Sequence, residues 1–225
     1  MARLDQHTGT GGASRPGHVT ASGPLTAWRG IEFVTLAVLG VAFGVAFWGW
    51  DVFLYPLVIA ALVFPPASSL TLGVWLLPAV VGGLVVRRPG AALFTEFVAA
   101  NVEMLLGNQW GPAVLVSALL QGLGVELALA IVRWRRFGVG VAMLGGMLAA
   151  TLELVGYEWW TYMVEYEFGW KLLALGFALV SGGLIAGVGG WAVTRGLAAA
   201  GALDAFPPGR EHRLAAGGFE DDPSS

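Results

Sequence analysis

Long apolar stretches separated by short loops that carry arginines constrain this chain more than any other feature of its sequence. A run of about 20 apolar residues is long enough to cross the hydrocarbon core of a bilayer as a helix. Hydrophobic residues make up 56% of the chain and charged residues only 12%, and no alternating strand pattern appears. The sequence therefore predicts an all-α, polytopic membrane protein whose surroundings are the lipid bilayer.

The arginines predict how the helices are oriented, because cytoplasmic loops accumulate Lys and Arg. They occur at Arg29, at Arg87 and Arg88, in the segment 133–136 and at Arg195. Only an even number of crossings can separate two cytoplasmic positions. We therefore expect six transmembrane helices in a multi-pass cell-membrane protein with both termini in the cytoplasm. The predicted spans are 31–50, 70–86, 91–106, 113–132, 139–157 and 170–193.

The segment 52–64 does not fit as a further span. It is shorter than the roughly 20 residues that a crossing needs, contains Pro56, and is followed by Pro65 and Pro66. We expect a re-entrant or lid-like segment there, since irregular backbone at membrane depth must be covered by protein or water. A broken helix that is continuous with the next span is the alternative.

The two ends of the chain differ in composition from the apolar spans. Residues 1–27 are rich in Gly, Ser, Thr and Pro, and residues 196–225 are rich in Ala, Gly and Pro before an acidic end. Segments of this kind do not bury enough apolar surface to fold alone. The sequence predicts two disordered cytoplasmic tails around a six-helix domain at residues 28–195.

Several classes of function are excluded by residues that the sequence lacks. The chain has no cysteine, and its three histidines, His7, His18 and His212, all fall in the predicted tails. Thiolate chemistry, Cys-based metal sites and imidazole relays in the membrane part are therefore excluded. No basic block predicts a nucleic-acid partner. Neither the phosphate-binding motif of ATPases nor a hydrolase motif occurs. We therefore expect that this chain does not hydrolyse ATP and that it is not an enzyme.

The segment from Arg87 to Pro112 places two acidic residues in a predicted span. Glu96 and Glu103 are seven residues apart and share one helical face. An ionisable group at membrane depth costs about 2.5–3.5 kcal/mol on insertion scales and usually faces a bundle interior or a wet cavity. We expect at least one of the two to be functional, with a structural hydrogen bond between helices as the alternative.

The outer ends of the spans collect the remaining polar and aromatic residues. We expect a pocket of carboxylates, amides and aromatic rings in the outer half of the bundle. Its predicted substrate-binding residues are Glu103, Gln121, Glu153 and Tyr157, beneath a roof of Asn108, Trp110, Trp159 and Trp160. Such a pocket suits a small, flat heterocycle that is cationic or donates hydrogen bonds. For the aromatic residues, an interfacial belt without a ligand is the alternative.

The first span contains two pairs of small residues four apart. They are Gly40 with Gly44 and Ala42 with Ala46. Small residues at this spacing let another helix approach closely. The approaching helix belongs either to this chain or to a separate membrane subunit, and the spacing by itself leaves both open.

The segment RRPGAALFTEFVAANVEMLLGNQWGP, together with the Gly-rich first span and the YEWW run, resembles the YkoE-type substrate-binding (S) components of energy-coupling factor (ECF) transporters. The resemblance covers about residues 28–195 and implies a six-helix component that binds thiamine or its hydroxymethylpyrimidine moiety. It leaves open which of these two is the ligand. A structural or scaffolding membrane protein, or a membrane enzyme with an unrecognised site, is the alternative.

The same resemblance implies partner subunits. They are a transmembrane coupling protein and two cytoplasmic ATPase subunits, which would use the ATP, so that this chain needs no cofactor of its own. In such transporters, small-residue motifs on the first helix pack against the coupling protein. The matching positions here are Gly40, Ala42, Gly44 and Ala46.

Overall fold

A computed structural model describes residues 18–217, which form helices and no strand. Adjoining helical segments merge into longer helices that we number in chain order. They are α1 (Gly30–Ala61), α2 (Pro65–Val86), α3 (Ala91–Leu106), α4 (Gly111–Ile131), α5 (Val139–Thr161), α6 (Phe168–Ala199) and α7 (Pro207–Gly217). The all-α prediction is confirmed.

Five of these helices, α1, α2, α4, α5 and α6, are long and apolar enough to cross a membrane. The helix α3 has 16 residues, so it extends about 24 Å, which is less than the hydrocarbon thickness of about 30 Å. The membrane class is therefore confirmed, whereas the sixth crossing and the cytoplasmic position of the termini stay predictions.

The segment after the first predicted span continues α1. A π-helical stretch, Trp50–Leu54, leads without a reversal into the α-helical turns Tyr55–Ala61. Pro56 lacks an N–H and its ring collides with the carbonyl four residues earlier in a regular helix. The wider π-helical turns just before Pro56 accommodate this mismatch. The prediction of a re-entrant segment at 52–64 was therefore wrong.

The helix α2 lies in the centre of the bundle, since 83% of its most apolar stretch is buried, compared with 28–39% in the other candidate spans. It begins as a 3-10 helix, Pro65–Val74, and continues as an α-helix, Leu77–Val86. Its side chains contribute to both apolar clusters of the core. A central helix with a change of helix type halfway along places backbone N–H groups and side chains next to the cavity described below.

The glycines of the first span pack within this chain. A Cβ atom at Gly40 would lie 2.7 Å from the Val98 side chain, and one at Gly44 would lie 2.5 Å from the Ala99 carbonyl oxygen, both in α3. Gly40 and Gly44 are therefore occupied by α3 and are not free for a partner, which corrects that part of the predicted interface. Ala42 and Ala46 lie exposed on α1, and their contact with a partner stays a prediction.

Arg88 is buried at the end of the bundle that the arginine loops mark. Its Nε atom lies 2.9 Å from a carboxylate oxygen of Glu32 at the start of α1, and its exposed fraction is 0%. The other two nitrogens of this guanidinium group, Nη1 and Nη2, donate to the backbone carbonyls of Pro24 and Ser22, respectively. Residues 22–24 are thereby attached to the bundle, which differs from the predicted disorder of residues 1–27. Residues 1–17 lie outside the described residues.

Arg87 binds the other end of the chain at the same place. Its guanidinium group donates to the Glu211 carboxylate of α7, at 2.9 Å from Nη2, and lies 4.4 Å from the centre of the Phe137 ring. Phe206, just before α7, is buried. A buried apolar anchor and an ion pair hold residues 196–217 in place, which corrects their predicted disorder. Residues 218–225 lie outside the described part of the chain.

Candidate functional site

A cavity of about 310 Å³ lies at the end of the bundle opposite to Arg87 and Arg88. Side chains of α1 to α5 and of the loop before α6 line it. The lining residues are Phe47, Tyr55, Ser68, Ser69, Thr71, Leu72, Trp75, Glu96, Ala100, Glu103, Trp110, Val114, Ser117, Gln121, Glu153, Glu158, Tyr162, Met163 and Tyr166. This volume is sufficient for a ligand of one or two small rings.

Four carboxylate side chains, Glu96, Glu103, Glu153 and Glu158, give the cavity its charge. Glu96 accepts the backbone N–H of Ala79 at 2.9 Å. Glu153 is 2% exposed, and its Oε2 atom has no hydrogen-bond partner among residues 18–217. The lining residues of the described chain include no Lys, Arg or His. The cavity therefore favours a cation or a ligand with several hydrogen-bond donors.

Three aromatic rings pack against one another in the wall of the cavity. The ring centres of Tyr55 and Trp75 are 5.3 Å apart, those of Trp75 and Trp110 are 5.4 Å apart, and those of Tyr55 and Trp110 are 5.5 Å apart. All three pairs are close to edge-to-face, an arrangement that is favourable for aromatic rings. Because each ring is held by two others, the wall offers fixed surfaces against which a flat ligand can pack.

Asn108 does not line the cavity, but it makes hydrogen bonds that hold two parts of the cavity wall in place. Its Nδ2 atom donates to Glu103 at 2.9 Å, and its Oδ1 atom accepts the backbone N–H of Gly111 at 2.6 Å. Gly107 and Gly111 have positive φ angles of 97° and 61°, which glycine adopts without strain. One amide thus orients a cavity carboxylate and also holds the turn that carries Trp110.

A comparable local feature positions Glu96. The α-helical part of α2 starts at Leu77, and the first N–H groups of a helix have no partner within the helix. One of them, on Ala79, is satisfied by Glu96 of α3. The change of helix type in α2 therefore fixes one oxygen of this carboxylate at the base of the cavity.

Of the predicted substrate-binding residues, four line the cavity and four do not. Glu103, Trp110, Gln121 and Glu153 line it, whereas Asn108, Tyr157, Trp159 and Trp160 are outside the lining. Trp160 is 71% exposed, and its indole N–H donates to the Val155 carbonyl at 2.8 Å.

A π-helical stretch in α5 explains part of this difference. The spacing of an α-helix predicted that Tyr157, four residues after Glu153, shares its face. Residues Leu154–Glu158 are π-helical, and a π-helix pairs residues five apart. Glu158, five residues after Glu153, therefore lines the cavity in place of Tyr157.

Several lining residues were absent from the predicted pocket. Among them are Tyr55, Trp75, Glu96, Glu158, Tyr162 and Tyr166. Glu96 was recognised as an acidic residue at membrane depth but was not assigned to the pocket. Tyr55 lies in the segment that was predicted to be re-entrant, and Trp75 lies in the span that was predicted to follow it. The available signal was the group of aromatic and acidic residues at positions 48–55.

Lys171 is a cation near this end of the bundle, but it is held outside the cavity. Its Nζ atom donates to the Trp159 carbonyl at 3.1 Å and lies 5.8 Å from the centre of the Trp160 ring. Lys171 is not among the residues that line the cavity with the four carboxylates. A bound ligand would therefore meet those carboxylates without competition from this ammonium group.

Comparisons with known proteins agree with this architecture. Residues 31–152 match the family described as the permease component of an ABC-type cobalt transport system. YkoE of Bacillus subtilis (strain 168), named as a proposed HMP/thiamine permease protein, is 34% identical over 187 residues, which are 83% of this chain and 93% of YkoE.

A solved structure gives the same result in three dimensions. The crystal structure of an S component of an ECF transporter superposes with a TM-score of 0.81 at 33% identity, over 88% of this chain and 100% of that one. The matched part of the chain therefore includes the helices that build the cavity. The chain therefore belongs to the YkoE family of substrate-binding (S) components of ECF transporters, which are transport components and not enzymes.

Proposed function

We propose that this chain captures thiamine or its hydroxymethylpyrimidine moiety for an ATP-driven importer. The observation that carries the proposal is the cavity in which four carboxylates and three mutually packed aromatic rings occur together with no cationic side chain among the described lining residues. The name of the relative YkoE, a proposed HMP/thiamine permease, supports the same class of ligand.

The chemistry of thiamine fits this lining. Its thiazolium ring carries a fixed positive charge, and a cation next to an aromatic face gains about 0.5–2 kcal/mol. Its aminopyrimidine ring donates hydrogen bonds from an amino group, for which the free oxygen of Glu153 and the carboxylate of Glu103 are acceptors. A phosphorylated form of the vitamin would meet several negative charges, so we expect it to be rejected.

The rest of the transport cycle would depend on partner subunits. A transmembrane coupling protein and two cytoplasmic ATPase subunits would supply movement and ATP hydrolysis, since the sequence contains no ATP-binding motif of its own. The cavity would open to the exterior and the arginine end would face the cytoplasm. The exposed residues Ala42 and Ala46 of α1 are the proposed contact with the coupling protein.

A binding assay on purified protein in detergent or nanodiscs tests the ligand. We expect thiamine or hydroxymethylpyrimidine to quench the fluorescence of Trp75 and Trp110, and thiamine monophosphate to have no effect. The variants Glu103→Gln and Glu153→Gln should weaken binding about 10- to 100-fold, because each loses a charged hydrogen-bond acceptor.

The matched control is Glu165→Gln. Glu165 is exposed in the loop before α6 and does not line the cavity, so this variant removes the same charge without changing the site. It should bind like the wild type. Folded protein that binds no pyrimidine or thiazole compound would contradict the proposal, and full affinity in both cavity variants would exclude this cavity as the binding site.

A further inference from the structure

The hydroxyl group of Ser181 joins α6 to the 3-10 stretch of α2. Its Oγ atom donates to the Leu70 carbonyl oxygen at 2.5 Å and accepts the backbone N–H of Gly73 at 2.9 Å. Ser181 is 2% exposed, and hydrogen bonds are stronger in the interior of a protein than in water. One buried side chain therefore connects two helices that are distant in the chain.

Gly73 lets this hydroxyl group reach the backbone of α2. A Cβ atom at position 73 would lie 2.7 Å from Ser181 Oγ and would also collide with the Ser181 carbonyl oxygen. A glycine is typical where a backbone must be approached this closely. Any larger residue at position 73 would push α2 and α6 apart.

Close packing between α5 and α6 fixes the position of Ser181. The next residue, Gly182, begins the π-helical stretch Gly182–Gly189 of α6. A Cβ atom at Gly182 would collide with the carbonyl oxygen of Gly146 in α5, and a Cβ atom at Gly146 would collide with that of Gly182. The two backbones are in contact at this point, so the helix that carries the hydroxyl group has little room to shift.

The backbone that Ser181 bridges carries part of the cavity wall. Leu70 and Gly73 are three residues apart, and the two residues between them, Thr71 and Leu72, both line the cavity. Hydrogen bonds in a 3-10 helix have poorer geometry than those in an α-helix, so long 3-10 runs are uncommon. The stretch Pro65–Val74 has 10 residues. A partner from outside the helix for both backbone groups therefore stabilises this helix type.

Without that partner, a regular α-helix becomes the more favourable conformation of the stretch. An α-helix has about 3.6 residues per turn and a 3-10 helix about 3.0, so a change of helix type rotates side chains about the helix axis. Thr71 and Leu72 would then turn relative to the cavity, as would Trp75, which follows the stretch and packs in the aromatic wall. The shape of the cavity thus depends on the helix type of α2.

We propose that Ser181 is a positioning residue for ligand binding, which holds the 3-10 stretch of α2 in the shape that the ligand requires. The helix α6 contributes no residue of its own to the described lining of the cavity, so Ser181 acts on the ligand only through α2. The inference rests on the proposed function, because the affinity for the ligand is its main readout.

Binding of thiamine and hydroxymethylpyrimidine to purified variants tests this role. Ser181→Ala removes only the hydroxyl group, and we expect the affinity for the compound that the wild type binds to fall about tenfold. Ser181→Thr keeps a hydroxyl group and should restore most of the affinity. The matched control is Thr194→Val. Thr194 is buried in the same helix, and its hydroxyl donates to the Gly190 carbonyl within α6 at 2.8 Å, so this variant should bind like the wild type.

Hydrogen exchange separates positioning from a general loss of stability. In Ser181→Ala without ligand, the amides of residues 70–75 should exchange faster than in the wild type, while those of α3 and α4 keep their wild-type rates. Thr194→Val should not change the exchange of residues 70–75. A merely structural Ser181 would instead lower protection throughout the bundle.

Unchanged affinity in Ser181→Ala would overturn the inference and leave the proposed function intact. An equal loss of affinity in Ser181→Ala and Thr194→Val would also overturn it, as would a folded Ser181→Thr that binds no better than Ser181→Ala. If Ser181→Thr does not fold, Ser181→Cys, which keeps a weak donor, takes its place under the same criterion. Folded wild-type protein that binds neither compound would reject the proposed function, and the inference with it.

Discussion

Both ends of this helix bundle bury charged side chains, but they satisfy those charges in opposite ways. At the arginine end, Arg88 is fully buried with Glu32 at 2.9 Å and with backbone carbonyls as further acceptors. At the cavity end, Asp51 and Glu153 keep oxygens without a partner among the described residues. Buried polar groups are normally hydrogen-bonded, so exceptions require an explanation.

The difference separates structural from functional charge. A buried ion pair with all its hydrogen bonds made holds elements together, and removal of one partner leaves an uncompensated charge. Unpaired carboxylates around a cavity instead offer acceptors to a ligand. We therefore expect substitutions at the arginine end to reduce folding stability, and substitutions at the cavity end to reduce binding.

The largest expected effect is the loss of Arg88. Arg88→Ala leaves Glu32 buried with Arg29 as its remaining cation and detaches residues 22–24, so the free energy of unfolding should fall by about 3–5 kcal/mol. Thermal unfolding in detergent measures this loss. The control is Arg136→Ala, because Arg136 is exposed. Equal stability of the two variants would show that the buried pair contributes nothing.

A cavity variant should show the opposite behaviour. Glu153→Gln is expected to weaken thiamine binding about 10- to 100-fold while the protein unfolds at the same or a higher temperature. The reason is that an unpaired buried charge is replaced by a neutral group of similar size. Calorimetric binding and thermal unfolding on one preparation measure both quantities. A marked loss of stability would indicate that Glu153 has a structural partner.

Gly44 tests how α1 packs. In Gly44→Ala the new methyl group would meet the Ala99 carbonyl at 2.5 Å, so the isolated protein should lose about 1–3 kcal/mol of stability. The matched control is Gly49→Ala on the same helix, where a Cβ meets no atom of the described residues within 4 Å. If Gly44→Ala is as stable as this control, the glycine serves a partner and not α3.

The smallest expected effect concerns the attachment of α7. Burial tends to raise the pKa of Glu211, but the hydrogen bonds and the charge of Arg87 outweigh it and lower the pKa below the usual 4.5. The contribution of this ion pair to stability is therefore fully present above pH 4.5 and is lost as the pH falls through the lowered pKa.

Hydrogen exchange of the α7 amides at decreasing pH measures this effect. Protection of α7 should decrease in acid in the wild type. Glu211→Gln should show weaker protection at neutral pH and little further change on acidification. Protection that is independent of pH in the wild type would mean that buried apolar residues such as Phe206 hold α7 without the ion pair.

Part of the site was predictable from the sequence because the relevant signals are local. Glu103 and Glu153 were recognised as acidic residues in apolar spans, and such residues avoid lipid whatever the fold. Trp110 and Gln121 followed from the orientation of the same spans. Glu158 could not be found by this reasoning, because the face that it occupies depends on the π-helical stretch in α5.

The sequence by itself determined the membrane class, the all-α fold and the family, since run length, charge distribution and short motifs are properties of consecutive residues. The tertiary structure decided which surfaces meet. It used Gly40 and Gly44 for the packing of α1 against α3, and it attached α7 to Arg87. These pairings join residues that are distant in the chain, and they depend on close packing between helices that no local pattern encodes.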